Sequence, residues 1–119
     1  MTGDGVFRVI RLPTEPMPTL DGRLLGDKAG LLAALGHALH FPDYYGGNWD
    51  ALEECLADLS WHEGALHLLI THADTLPDAL RENLADIFLG AAKQWADSQW
   101  ADSRGGFALY LADSTASQD

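Results

Sequence analysis

Residues 41–56 read FPDYYGGNWDALEECL, a loop followed by the start of an amphipathic helix. Asn48 is a favoured N-cap residue and predicts a helix from Trp49 to about Leu59. At about 100° per residue the apolar side chains of this helix fall on one face; they are Trp49, Leu52, Cys55, Leu56 and Leu59. The two glycines before Asn48 indicate a loop with a permissive backbone.

The opposite face of this predicted helix is acidic. Asp50, Glu54 and Asp58 follow one another at i, i+4 and i+8, and Glu53 lies beside them. Like-charged neighbours at this spacing cost a few tenths of a kcal/mol each, and no Lys or Arg occurs between residues 29 and 80 to offset them. A solvated face of a very acidic protein would explain these acids, and so would a surface that binds a cationic partner.

Two tyrosines in the loop favour the binding interpretation. Tyrosine is a frequent anchor of protein interfaces because it is large, rigid and amphipathic. Glycines beside it allow a partner to approach the main chain closely. We expect Tyr45 to pack into the core and Tyr44 to be exposed.

Residues 41–56 closely resemble the signature of the barstar family of intracellular ribonuclease inhibitors, LPEYYGxNxDALxDCL. The predicted order of elements is also barstar-like, so the resemblance extends from Asp21 to Leu111. It implies a small α/β fold in which a three-stranded parallel sheet packs against helices. It also implies an inhibitor or immunity protein that plugs the active site of a basic bacterial ribonuclease with the acidic helix and its loop.

The resemblance carries individual contact residues to this chain. Three side chains match contacts of the family, and a loop glycine matches a backbone contact; they are Tyr44, Asn48, Asp50 and Gly46. Glu54 stands where the family has its central aspartate and is one methylene longer. We place Glu53 and Asp58 at the rim of the same surface. Ribonuclease active sites bind phosphate with basic side chains, and a carboxylate can occupy such a pocket in place of phosphate.

The chain departs from one member of the family at two places. Glu53 stands where that member has a tryptophan, and that member's additional acidic contact on the last helix aligns near Gly90. Both departures concern the identity of the partner more than the fold. A module of the same fold that binds another basic protein is therefore one alternative.

The remaining elements are predicted from hydrophobic periodicity and turn residues. The first strand is either Val6–Leu12 or the residues just before Asp21. A helix capped by Asp27 runs to about Leu39, a strand covers 65–70, a long helix runs from Asp74 to about Trp95, and the last strand is Phe107–Leu111. Helical connections between strands imply a parallel sheet. We expect one domain over residues 1–119, with a variable strand and proline-rich connection in 1–20 and a frayed tail from 112.

Composition excludes several classes of partner. A net charge of −11, from 7 Lys and Arg against 18 Asp and Glu, argues against direct binding of nucleic acid or of an anionic membrane. It favours a basic protein partner. The single cysteine precludes an intrachain disulfide and suits a reducing compartment, and no secretory signal or membrane span is apparent. We expect a cytoplasmic protein that is monomeric when unbound.

Other chemistry is weakly supported. The five histidines lack the spacing of metal ligands, so no metal and no cofactor are expected, and Cys55 lies on the apolar face, which favours a buried thiol over a nucleophile. Asp50 and Glu54 could form the carboxylate pair of a small acidic hydrolase. An exposed face with further acids is a poor setting for the raised pKa that such catalysis needs, and we expect no enzymatic activity.

Overall fold

A computed structural model of the protein describes residues 5–13, 16–42, 45–58, 66–96 and 107–117. These ranges contain four strands and three helices, in the chain order β1 (Gly5–Arg11), β2 (Thr19–Asp21), α1 (Lys28–Ala38), α2 (Trp49–Ala57), β3 (Leu66–Thr71), α3 (Asp78–Ala96) and β4 (Phe107–Ser117). Single 3₁₀ turns occupy Gly22–Leu24 and Ala73–Thr75. Among the helices of these ranges, none combines the length and the apolar character needed to span a membrane.

All strands of the described sheet pair in parallel, in the order β1-β4-β3-β2. The α/β class and the parallel sheet are confirmed, but the predicted number of three strands is wrong. The reason is that both candidates for the first strand form. The earlier candidate pairs with β4, the later one pairs with β3, and the two occupy opposite edges of the same sheet.

Strand β4 is longer than predicted. It continues past Leu111 to Ser117, so the expected frayed tail from residue 112 is wrong as far as 117, and the last two residues lie outside the described part. The pairing of β4 with β1 shifts along this extension, since Val9 lies opposite Ala112 but Arg11 lies opposite Ser117. Asp74, in the 3₁₀ turn after β3, accepts hydrogen bonds from the amide and the hydroxyl of Ser114 in this extension, at 2.9 and 2.8 Å. Arg8 pairs with Asp113 at 3.1 Å.

The helix boundaries follow from local side-chain chemistry. The side chain of Asp27 accepts a hydrogen bond of 2.7 Å from the Gly30 amide, which confirms the predicted N-cap of α1. The long helix α3 begins at Asp78 and not at Asp74, because Leu76 is extended. An extended residue before a proline is usual, since the proline ring disfavours the α conformation there.

The core lies between the sheet and the helices. All three helices contribute fully buried side chains, and the central strands β3 and β4 supply the other side; the largest are Leu31, Leu32, Leu35, Leu52, Leu56, Leu66, Leu68, Ile70, Leu84, Phe88, Phe107 and Leu109. The apolar face predicted for α2 is buried at Leu52, Cys55 and Leu56. Because that face is fixed against the core, the opposite face of α2 is left toward solvent.

Candidate functional site

The start of α2 is fixed by its N-cap. The Asn48 backbone is extended, and its Oδ1 accepts a hydrogen bond of 2.7 Å from the Ala51 amide. This confirms the predicted cap and commits one side-chain atom of Asn48 to the helix. Removal of an N-cap side chain typically costs about 0.5–2 kcal/mol of stability. A substitution at Asn48 therefore changes the fold and any contact with a partner at the same time.

The acids of α2 lie where the periodicity predicts. Asp50, Glu53 and Glu54 are exposed, while Cys55 on the other side is buried. Helix α2 ends at Ala57, before the predicted end at Leu59, which is itself outside the described residues. Asp58 is consequently the C-cap, with an extended backbone and an N–H that bonds to the Glu54 carbonyl at 3.0 Å. Asp58 thus follows the acidic face without belonging to the helix.

The charge of this face is uncompensated within the described part of the chain. The ion pairs there join Arg8 with Asp113, Arg23 with Asp21 and Arg81 with Asp78. None of them involves Asp50, Glu53 or Glu54. Asp50 lies in the first turn of α2, where the positive end of the helix dipole favours it. Glu54 lies one turn further on and is repelled by Asp50.

The loop before α2 is anchored by Tyr45. The Tyr45 hydroxyl donates a hydrogen bond of 2.9 Å to the Leu32 carbonyl oxygen in α1, and the Phe41 ring packs edge-on against the Tyr45 ring at 4.7 Å. Burial raises the pKa of Tyr45 to about 12. The expectation that Tyr45 packs against the core is confirmed. Tyr44 lies outside the described residues.

The two loop glycines differ in what the fold requires of them. Gly47 has a φ of +74°, a conformation that residues with a Cβ adopt only at a cost. Gly46 has no such φ, and a Cβ there would lie 3.6 Å from Asn48 Nδ2 and 3.8 Å from Ala51 Cβ, which are ordinary contact distances. The fold therefore needs glycine at 47 but tolerates a methyl group at 46. The contacts within the described residues therefore do not explain why position 46 lacks a side chain.

Three features of the described residues bear on catalysis: the Cys55 thiol, two cavities and the grouping of possible metal ligands. Burial raises the pKa of the Cys55 thiol, and the carboxylates of Asp58 and Glu54 raise it further, which keeps the thiol protonated. Two cavities, of about 210 and 220 Å³, are lined by the β1, β3, β4 and α3 regions and by no residue of α2. Within the described ranges, no group of three or more His, Cys, Asp or Glu side chains could hold a metal ion.

Comparison with protein-family models gives a match over residues 16–116, to the family described as Barstar (barnase inhibitor). The matched region contains the acidic helix, its loop and three of the four described strands. Strand β1 ends before the matched region begins, so the fourth strand of the sheet lies outside the part of the chain that matches the family. A comparison with curated proteins gives no match.

Proposed function

The chain belongs to the barstar family, and on that premise we propose that it is an inhibitor or immunity protein for a basic bacterial ribonuclease. In this proposal α2 and the preceding loop enter the active site of the ribonuclease and block access of RNA. The protein acts in the cytoplasm and is monomeric when unbound. We expect the protein to bind neither nucleic acid nor an anionic membrane, because its net charge of −11 repels both.

The observation that carries the proposal is the exposed, uncompensated acidic face of α2 beside a glycine that the fold does not need. A ribonuclease active site collects cationic side chains to bind phosphate, and a carboxylate can accept their hydrogen bonds in place of phosphate. We assign the central contact to Glu54, which has no ion-pair partner within the described residues. Its carboxylate extends one methylene further than an aspartate would, so it suits a pocket that lies further from the helix.

The remaining contacts surround Glu54. Asp50 adds a second carboxylate one helical turn away, and Gly46 lets the partner approach the main chain of the loop. Asn48 keeps its Nδ2 amide for the partner, because only its Oδ1 is used by the cap. Tyr44 supplies an aromatic anchor. Glu53 and Asp58 lie at the rim, where solvent screens charge pairs.

Inhibition titration of a barnase-type ribonuclease tests this assignment, with Glu54→Ala compared against Glu82→Ala. Glu82 is an exposed glutamate on α3 that lines the cavity beside β1, so its substitution changes net charge equally at a different place. Loss of one partner of a desolvated charge pair costs about 2–5 kcal/mol, so Glu54→Ala should weaken inhibition about 30- to 5,000-fold. Glu82→Ala should change it by less than about threefold.

Thermal stability separates a contact from a folding effect in the same variants. Glu54→Ala relieves repulsion with Asp50, so its melting temperature should equal or slightly exceed that of the wild type. Equal loss of inhibition in both variants would show that overall charge, and not Glu54, drives association. An unfolded Glu54→Ala variant would contradict the assignment of Glu54 to the interface.

A module that binds another basic protein is the second candidate. The exposed Glu53, at the position where one family member has a tryptophan, favours it. Capture of a basic protein whose ribonuclease activity persists in the complex would support this candidate. The hydrolase alternative predicts turnover by the purified protein that Glu54→Gln abolishes. We expect no such turnover.

A further inference from the structure

Gly36, near the end of α1, lies in direct contact with the loop that precedes α2. A Cβ built at Gly36 would lie 2.7 Å from Cε2 and 2.9 Å from Cδ2 of Tyr45, and 3.7 Å from Cδ2 of Phe41. The first two distances are shorter than real side chains adopt, so a methyl group there would displace the ring. The Tyr45 ring therefore rests on the bare backbone of α1.

A glycine at this position is unfavourable for the helix itself. Glycine is among the poorest residues for a helix interior, and the φ of Gly36 is an ordinary helical one that alanine would also adopt. Another helical glycine, Gly90 in α3, has no atom within 4 Å of a built Cβ. Gly36 thus differs from Gly90 in that a neighbouring ring occupies the space of its side chain.

The ring that Gly36 accommodates is connected to the proposed binding loop on both sides. The Tyr45 amide bonds to the Pro42 carbonyl at 3.0 Å, which ties the residue that carries the ring to the segment that follows α1. Tyr45 also directly precedes Gly46, and Asn48, the N-cap of α2, lies two residues after Gly46. The hydroxyl bond to Leu32, one helical turn before Gly36, fixes the far end of the same ring. A shift of the ring therefore moves the backbone that leads into α2.

We propose that Gly36 is a positioning residue for partner binding: its missing side chain seats Tyr45 on α1, and the seated ring sets the position of Gly46 and the start of α2. This inference rests on the proposed ribonuclease-binding function. Gly36 does not contact the partner. Its effect passes through the Tyr45 ring, which makes the two positions energetically coupled.

A double-mutant cycle of Gly36→Ala and Tyr45→Ala tests the coupling. Gly26→Ala is the control, because a Cβ built at the exposed Gly26 meets no atom within 4 Å. The readouts are inhibition of a barnase-type ribonuclease and, in the unbound protein, the amide chemical shifts of Gly46, Asn48 and Ala51. Residues in contact typically show a coupling of about 2- to 150-fold. We expect Gly36→Ala to weaken inhibition within that range and to shift these amides. In the Tyr45→Ala background it should do neither, because the obstructed ring is gone.

The outcomes separate this inference from the function on which it rests. If the wild type inhibits the ribonuclease and Gly36→Ala inhibits equally well with unchanged loop amides, the positioning role is refuted and the proposed function stands. Equal weakening by Gly36→Ala and Gly26→Ala would also refute it, because the effect would then belong to the replacement of any glycine by alanine. Should Gly36→Ala fail to fold, Tyr45→Ala alone decides: inhibition at the wild-type level would overturn the inference. If the wild type inhibits no barnase-type ribonuclease, the proposed function itself is refuted.

Discussion

Adjacent glycines in the loop before α2 offer a test in which stability and binding should separate. Gly46→Ala adds a methyl group where the nearest atoms are 3.6 and 3.8 Å away and the backbone φ is ordinary. Replacement of glycine by alanine at a compatible conformation stabilises a protein by about 0.4–1 kcal/mol, through the lower entropy of the unfolded chain. We therefore expect the free energy of unfolding of Gly46→Ala to stay equal or to rise.

Binding should respond in the opposite direction. If a partner packs against the main chain at Gly46, a methyl group in a close-packed contact costs about 1–3 kcal/mol. This corresponds to about 5- to 150-fold weaker inhibition. Gly47→Ala is the control, because its φ of +74° makes a Cβ unfavourable by about 1–2 kcal/mol in the unbound protein. Gly47→Ala should therefore lower the free energy of unfolding of the unbound protein, whereas Gly46→Ala should not.

The assays are urea unfolding and inhibition titration of the same barnase-type ribonuclease with both variants. The informative pattern is a stable Gly46→Ala that inhibits poorly beside a destabilised Gly47→Ala. Wild-type inhibition by Gly46→Ala would show that the partner does not approach the backbone at this position. A destabilised Gly46→Ala would show that the argument from the distances at residue 46 is wrong.

Three further outcomes follow from charge and backbone geometry. Stopped-flow association with the ribonuclease should slow steeply as salt rises, because exposed charges are screened beyond about 10 Å at 0.1 M; a rate indifferent to salt would argue against electrostatic capture. His40→Gly should raise the melting temperature by about 2–4 °C in calorimetry, since His40 has a φ of +56° and relief of that conformation, less the entropy of glycine, yields about 0.5–1 kcal/mol. His40→Ala, which keeps a Cβ, should show no such rise. Acid titration should reveal a loss of stability between about pH 4 and 2, because hydrogen bonds from Arg23 lower the pKa of Asp21 to about 2, and bonds from Ser114 lower the pKa of Asp74. Groups whose pKa is lower in the folded state stabilise it above that range, so Asp21→Asn should flatten this part of the profile, and an unchanged profile would contradict the assignment.

The C-terminus of α1 illustrates how the loop direction is set. The amide of Phe41 bonds to the Gly36 carbonyl at 2.9 Å and that of His40 to the His37 carbonyl at 3.4 Å. Together with the left-handed His40, these bonds form a Schellman motif, which usually places glycine at this position. A histidine there conceals the motif from sequence reasoning. The motif turns the chain toward Tyr45, so it contributes to the placement of the loop before α2.

The local features of the site could be predicted from the sequence because they depend on neighbours along the chain. Asn48 caps α2 through an amide three residues away, and the burial of Cys55 follows from helical periodicity alone. Asp50 and Glu54 share an exposed face for the same reason. The family signature lies in this same stretch, where spacing along the chain and position in space are closely linked.

Only the tertiary structure decided which segments complete the sheet and whether the fold requires glycine at positions 36, 46 and 47. The sequence offers two segments as the first strand. In the structure both pair, because β4 has an edge for β1 and β3 has an edge for β2. The sequence shows glycines at 36, 46 and 47 without distinguishing them. Gly47 is required by its own backbone, Gly36 by the ring of Tyr45 from nine residues away, and Gly46 by neither. Strand pairing and close packing depend on contacts between residues distant in the chain, so local propensity alone does not determine them.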